Sequence, residues 1–211
     1  MGLATPVFSM MYVISTSLLY PVIVLLIGLV VWSLIMLGAF ISEYTARRRS
    51  LEELETAAMM AKRTLNEGDP EGAASILEGV EATPFVKGFL KELATSIRQK
   101  SSKKVESSKK VEKLMDDYEL KAMGALEKTV MGAKAGPMVG LMGTLIPMGP
   151  ALSGLVSGSV EQMVTNLIIA FATTVLGLAA GIVCYGISLV RRRWYAQDMS
   201  DVEYVVDILE G

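Results

Sequence analysis

The stretch VGLMGTLIPMGP, Val139 to Pro150, contains three glycines, two prolines and no charged residue. In water, glycine and proline are the residues that weaken a helix most. Yet the stretch sits in a run from Ala135 to Val190 whose only charge is Glu161, and a second run, Met1 to Ser42, has no Asp, Glu, Lys or Arg at all. Both runs exceed the roughly 20 apolar residues that cross a hydrocarbon core of about 30 Å. Inside lipid every backbone polar group must be satisfied within the protein, which leaves helices as the natural reading of such runs. The sequence therefore predicts an all-α, polytopic membrane protein with three transmembrane helices and long helices extending into the cytoplasm.

The composition agrees and narrows the function classes. Of 211 residues 52% are apolar and the mean hydropathy is +0.45. A net charge of -2 leaves no electrostatic footprint for nucleic acid. With no histidine and one cysteine, Cys184, the chain offers neither a disulfide nor a Cys/His metal site, and Cys184 reads as a small packing residue. It has no Walker-type loop, no dinucleotide fingerprint and no histidine for base catalysis, so the expectation is a non-enzyme without cofactor or metal. The amino end lacks the basic flank of a signal peptide, and its apolar run is too long for one.

The boundaries follow from charge and turn residues. Residues 1–17 read as an external segment, 18–41 as the first transmembrane helix, 42–129 as a cytoplasmic helical domain and 130–156 as the second transmembrane helix. Residues 157–162 read as an external turn, 163–190 as the third transmembrane helix and 191–211 as a cytoplasmic tail. Pro21 falls in a first helical turn, and Tyr20 and Trp32 read as ordinary membrane aromatics. Seventeen of the twenty basic residues lie between Glu43 and Lys134, Arg191 to Arg193 follow the third span, and the hairpin turn has none. By the positive-inside rule the amino terminus is external and the carboxyl terminus cytoplasmic, in the cell membrane.

The middle segment carries helix signals. SLEE, Ser50 to Glu53, fits a capping box, and DPE at Asp69 and TPF at Thr83 each set a cap residue before a proline. NEGD, from Asn66, supplies a turn. Leu51, Leu54, Ala58 and Leu65, then Ile76, Leu77 and Val80, suit amphipathic helices that need partners. SSKKVE occurs at Ser101 and again at Ser107 and reads as a solvated helix or connector, with lipid-headgroup or partner docking as the other reading. From Val111 onward, Leu114, Tyr118, Met123, Leu126 and Val130 predict a helix running straight into the second span.

In that span Gly136 and Gly140 stand four apart, as do Gly154 and Gly158, and Gly177 and Gly181 in the third. Small residues at this spacing let helix backbones approach closely in lipid. Polar side chains join them: Thr144 in the second span, and Thr165, Asn166, Thr173 and Thr174 in the third. At about 100° per residue, Asn166, Ala170, Thr173, Gly177, Ala180 and Cys184 form one broad face with Thr174 at its flank. Such a stripe suits a water-accessible or helix-accepting cavity, while a single threonine alone is equally served by its own helix carbonyl. Pro147 and Pro150 free carbonyls where the second span can bend. Glu161 reads as a hydrated acid of the external turn, with an ion-entry vestibule as the other reading.

GPMVGLMGTLIPM, followed across the turn by IAFATTVLGLAAGI and a basic stop, resembles the MotA/TolQ/ExbB proton channel family, closest to its TolQ and ExbB branch. The match covers roughly Gly136 to Arg193. One family motif falls on Val139 to Leu145, with Gly143 and the threonine at Thr144; the other falls on Thr173 to Ala180, with its threonine at Thr174. The resemblance implies a channel-forming stator subunit of an ion-driven, most simply proton-driven, motor complex. It implies a homo-oligomer, a pentamer in relatives, whose second and third spans surround the single membrane helix of a partner of ExbD/TolR/MotB type. That partner supplies a membrane aspartate. Thr144, Thr174, Thr173 and Asn166 are then the pore-lining candidates, Gly136, Gly140, Gly143, Gly177 and Gly181 the packing positions, and Pro147 and Pro150 the bend.

Two departures stand out. Many ExbB and TolQ relatives carry a glutamate where this chain has Ile169, and often a proline where it has Val183. Without that acid, a conducting complex needs the partner's carboxylate, and a non-conducting membrane scaffold of the same architecture is the alternative.

Overall fold

The computed structural model describes residues 10, 12–14, 16–47, 50–98 and 104–210, and among them there is no strand. Most of the expected external segment, Arg48 and Arg49 just after the first span, and the start of the SSKKVE repeat lie outside the described residues. Among the described residues the bounded helices are α1 (Leu19–Ala46), α2 (Leu51–Asn66), α3 (Pro70–Glu78), α4 (Pro84–Arg98), α5 (Lys104–Val156) and α6 (Val160–Glu210). Three helical stretches, Tyr12–Ala46, Lys109–Val156 and Val160–Leu209, are long and apolar enough to cross a membrane. The helix expected from Val111 onward is part of α5, which runs for 53 residues. The chain divides into two compact units, one of Met1–Ile41 with Glu127–Leu189 and one of Ser42–Leu126 with Val190–Gly211.

The second unit is built by local rules first. Ser50 caps α2 by accepting from the Glu53 N–H at 3.4 Å, Asp69 caps α3 by accepting from Gly72 N–H at 2.9 Å, and the Thr83 hydroxyl accepts from Val86 N–H at 3.4 Å. Pro70 and Pro84 each open the helix behind such a cap, where a missing N–H costs nothing. Gly68 ends the turn after α2 at φ +85°, a left-handed conformation that glycine adopts without steric penalty. The helices then bury one stripe each. Leu54, Ala58, Leu77, Val86, Phe89, Leu90 and Leu93 meet Tyr118 of α5 and Val202 and Val205 of α6 in one core. Phe85 and Phe89 both set their rings edge-on to Tyr118 at 5.3 Å, and the Tyr118 hydroxyl donates to Glu92 at 2.9 Å. Leu51, assigned by its spacing to the apolar stripe of α2, is instead exposed.

One polar cluster is enclosed in this core. Asp198 of α6, 1% exposed, accepts from the Arg47 guanidinium at 2.7 Å and from the Thr83 hydroxyl, while Arg47 also donates to the Trp194 carbonyl at 3.2 Å and lies over the Trp194 ring at 4.8 Å. Burial pushes the Asp198 carboxyl above its ordinary pKa, against the opposing pull of Arg47. A second pair, Arg191 with Glu43 at 2.7 Å, joins the same two segments. The cluster pins the residue after α1 to α6 and to the cap of α4.

In the first unit the determining contacts are made by absent side chains. A Cβ added to Gly136 would lie 2.6 Å from the Gly177 carbonyl oxygen and 2.8 Å from the Gly181 nitrogen. One added to Gly177 would lie 2.6 Å from the Gly136 oxygen and 2.7 Å from the Gly140 Cα. Real Cβ atoms do not come so near to backbone, so α5 and α6 touch main chain to main chain along these positions. Pro137 has no N–H to give the Ala133 carbonyl; its ring and that carbonyl both face the empty side-chain position of Gly181. Lower on the same seam, a Cβ on Gly132 would meet Cys184 Sγ at 2.8 Å and the Trp32 ring at 2.9 Å. Trp32 thus packs on this seam.

Two outcomes are expected. Asp198→Ala leaves the nearly buried Arg47 without its counter-charge and costs about 3 kcal/mol, whereas Arg47→Met combined with Asp198→Leu costs much less; thermal unfolding of the purified protein distinguishes them. Gly177→Val forces α5 and α6 apart and lowers stability by about 2 kcal/mol or more, while Gly28→Ala, at a glycine with open space around it, leaves the melting temperature unchanged.

Candidate functional site

The α5–α6 hairpin turns within three residues, Ser157 to Ser159. Ser159 N–H bonds the Gly154 carbonyl at 2.8 Å and Gly158 N–H the Leu155 carbonyl at 3.2 Å, with Gly158 at φ +75°. This is a Schellman closure, which satisfies the last carbonyls of α5 and sends the chain straight back. Glu161 follows in the first turn of α6, exposed, where a carboxylate complements the helix dipole.

The stripe on α6 faces α5. Ala170, Thr173, Gly177, Ala180 and Cys184 are buried, opposite Gly136, Val139, Gly140, Gly143 and Pro147 of α5. A Cβ on Gly143 would fall 2.6 Å from the Thr173 side chain, so the small residue of α5 receives the hydroxyl-bearing one of α6. Thr173 donates to the Ile169 and Ala170 carbonyls at 3.0 and 2.9 Å and is 5% exposed. It is a packing residue of the hairpin. Thr144 and Thr174 differ, since both are partly exposed. Thr144 donates to the Leu141 carbonyl at 2.7 Å and Thr174 to the Ala170 carbonyl at 3.2 Å. Each hydroxyl has spent its one proton on its own helix and retains only acceptor capacity. Asn166, near the turn, donates to the Gln162 carbonyl at 2.8 Å and is likewise partly exposed.

The prolines lie within a continuous helix. Pro137, Pro147 and Pro150 are all inside α5, Pro147 fully buried. Pro137 escapes a reading that looks for bends near the outer end; its signal is its place between Gly136 and the Met-Val-Gly that follows, where the opposing Gly181 makes room for a ring. Gly132 is the other position missed, legible only as one further step of four before Gly136.

Large apolar side chains surround the seam on the free faces of both helices. Met138, Leu141, Met142 and Leu145 on α5 and Phe171, Val175 and Ile182 on α6 are more than half exposed, the surface that a lipid or another helix would cover. Among the described residues no group of three or more His, Cys, Asp or Glu is placed to hold a metal ion.

No curated protein matches the chain. The sequence model of the MotA/TolQ/ExbB proton channel family matches residues 77–203, more than half of the chain, taking in all of α5 and α6 as far as residue 203, with both partly exposed threonines. With three helices able to span a membrane and a glycine-sealed hairpin between the second and third, this multi-pass membrane protein belongs to the MotA/TolQ/ExbB proton channel family.

Proposed function

We propose that the chain is the channel-forming stator subunit of an ion-driven motor complex, with the proton as the ion and closest kinship to the TolQ and ExbB branch. Copies of the chain assemble as a homo-oligomer, a pentamer by analogy with the family. Their second and third spans surround the single membrane helix of an ExbD/TolR/MotB-like partner. The amino terminus is external, residues 42–129 and 191–211 are cytoplasmic, and the spans cross the cell membrane at 18–41, 130–156 and 163–190. The observation that carries the reading is the family match across a hairpin whose hydroxyls remain at the edge of a sealed seam.

The chemistry of those hydroxyls defines what they do. The spans 130–156 and 163–190 hold one basic side chain, Lys134 at the cytoplasmic edge, and no acid. The titrating carboxyl is therefore the partner's aspartate. Thr144 and Thr174, with only acceptor capacity left, bond a protonated carboxylic acid or a water and offer nothing to a bare carboxylate. Stabilising the neutral acid raises its pKa, so it takes up a proton from the outer side before it can rest beside them. Thr173 holds the two helices at the spacing that presents this pair, Asn166 leads toward the outer turn, and Pro147 and Pro150 mark where α5 can bend. One proton crossing 100 mV yields about 2.3 kcal/mol, enough to bias a conformational step between two arrangements of the partner. Ile169, where many relatives carry a glutamate, supports the second reading, a non-conducting scaffold of the same architecture.

The test is proton flux into liposomes holding the complex of this chain with its copurifying single-span partner. Thr144→Val and Thr174→Val each lower flux by about tenfold, the equivalent of one lost hydrogen bond to the acid, and Thr144→Ser retains it. Unchanged flux in both valine variants removes the pore role. Absence of flux in the wild-type complex selects the scaffold.

A further inference from the structure

The α2–α3 face of the second unit carries a groove of about 580 Å³ that the channel chemistry does not use. Ala57, Met60, Ile76 and Val80 line its trough, and Glu52, Glu53 and Glu81 stand around it. Thr56 and Ser75 are the remaining polar side chains of its wall, and no basic residue lines it. Met60 is 53% exposed and the adjacent Met59 49%, on a soluble helix whose opposite stripe is already buried in the core. The three glutamates are exposed and have no ion-pair partner among the described residues. Nearby acids behave differently: Glu71 and Glu78 are both held by Arg98. All but the last part of the groove, from Gly79 to Glu81, precedes the segment matched by the family model, so it is not explained by the family's shared hairpin.

We propose that this groove docks a basic amphipathic helix of a partner protein. An apolar trough with methionines accommodates helix side chains spaced three and four apart. A rim of exposed carboxylates selects lysine and arginine on the flanks of that helix and repels acidic segments and anionic lipid headgroups. The docking adds contacts outside the membrane and leaves the α5–α6 hairpin untouched, so it stands apart from the proposed ion path.

A binding measurement decides it. The probe is a fluorescent amphipathic peptide of leucine and lysine about four helical turns long, compared with a scrambled peptide of the same composition. The full chain is held in nanodiscs of zwitterionic lipid. Fluorescence anisotropy is expected to show saturable binding of the helical peptide only. Combining Glu52→Gln, Glu53→Gln and Glu81→Gln should weaken binding by about tenfold, as should raising salt, since three exposed pairs are lost or screened. Thr56→Trp, which fills the trough while keeping the charges, should abolish it. Equal binding of the scrambled peptide, or indifference to both variants when their melting temperatures match the parent, overturns the proposal. So does a photo-crosslinker at Met60 that labels a second copy of this chain in place of the peptide.

Discussion

The close approach of α5 and α6 is the constraint on which the membrane part of this protein rests. In lipid, burying apolar surface between helices gains little, because the acyl chains are as apolar as the side chains they would replace. What remains is contact distance, and Gly136, Gly140, Gly177 and Gly181 reduce it until carbonyl oxygens and α-carbons of the two helices touch. Dispersion and Cα–H to carbonyl contacts act only at such range. The glycines are poor helix formers in water, but in a hydrocarbon core no competing hydrogen-bond partner exists for the backbone, so the helix persists and the missing side chain becomes a surface. The same seam also disposes of Pro137, whose ring and freed carbonyl lie against Gly181.

The unit of Ser42–Leu126 and Val190–Gly211 is held by the opposite economy. Phe89, Leu77, Leu90 and Val86 are essentially inaccessible, and three helix N-termini are closed by side-chain caps. Here hydrophobic burial supplies the stability, at about 25 cal/mol per Å² of apolar surface removed from water. The exception is Asp198 with Arg47. An ion pair that deep gains little over a packed apolar pair but penalises any arrangement in which one partner is missing. It therefore selects a register between the end of α1, the cap of α4 and α6.

Much of this could be read from the chain itself. The uncharged runs, the Gly-x-x-x-Gly steps at Gly136/Gly140 and Gly177/Gly181, the caps at Ser50, Asp69 and Thr83 and the turn at Gly158 are local signals whose physics is complete within a few residues, whereas the same spacing at Gly154 and Gly158 belongs to the hairpin turn and packs no pair of helices. Beyond Pro137 and Gly132, three things escaped. Leu51 sits at an apolar spacing yet faces outward, because which edge of an amphipathic stripe is covered depends on a neighbouring helix that no local pattern specifies. Trp32 reads as an ordinary membrane aromatic until Gly132 and Cys184 give its ring a place on the seam. Asp198 lies in a charged segment where an acid is expected to be solvated; its burial requires Arg47, 151 residues earlier in the chain. Periodicity separates faces, but it does not say which face meets which partner.

Thr173 and Thr174 show how far that distinction reaches into function. They are adjacent in sequence and chemically identical, and each donates to a carbonyl of its own helix. About 100° of rotation around α6 places one against Gly143, where no water or ligand reaches it, and leaves the other at the edge of the seam with Thr144. A buried hydroxyl of this kind fixes packing; a partly exposed one offers lone pairs to whatever approaches. To act as a donor toward a carboxylate, Thr144 or Thr174 would have to rotate and abandon its own helix bond, leaving a carbonyl without that partner in a medium that supplies no replacement. Hydroxyls committed in this way would discriminate between the two charge states of any acid brought beside them without being charged themselves, and Ile169 leaves no acid of this chain's own at that position.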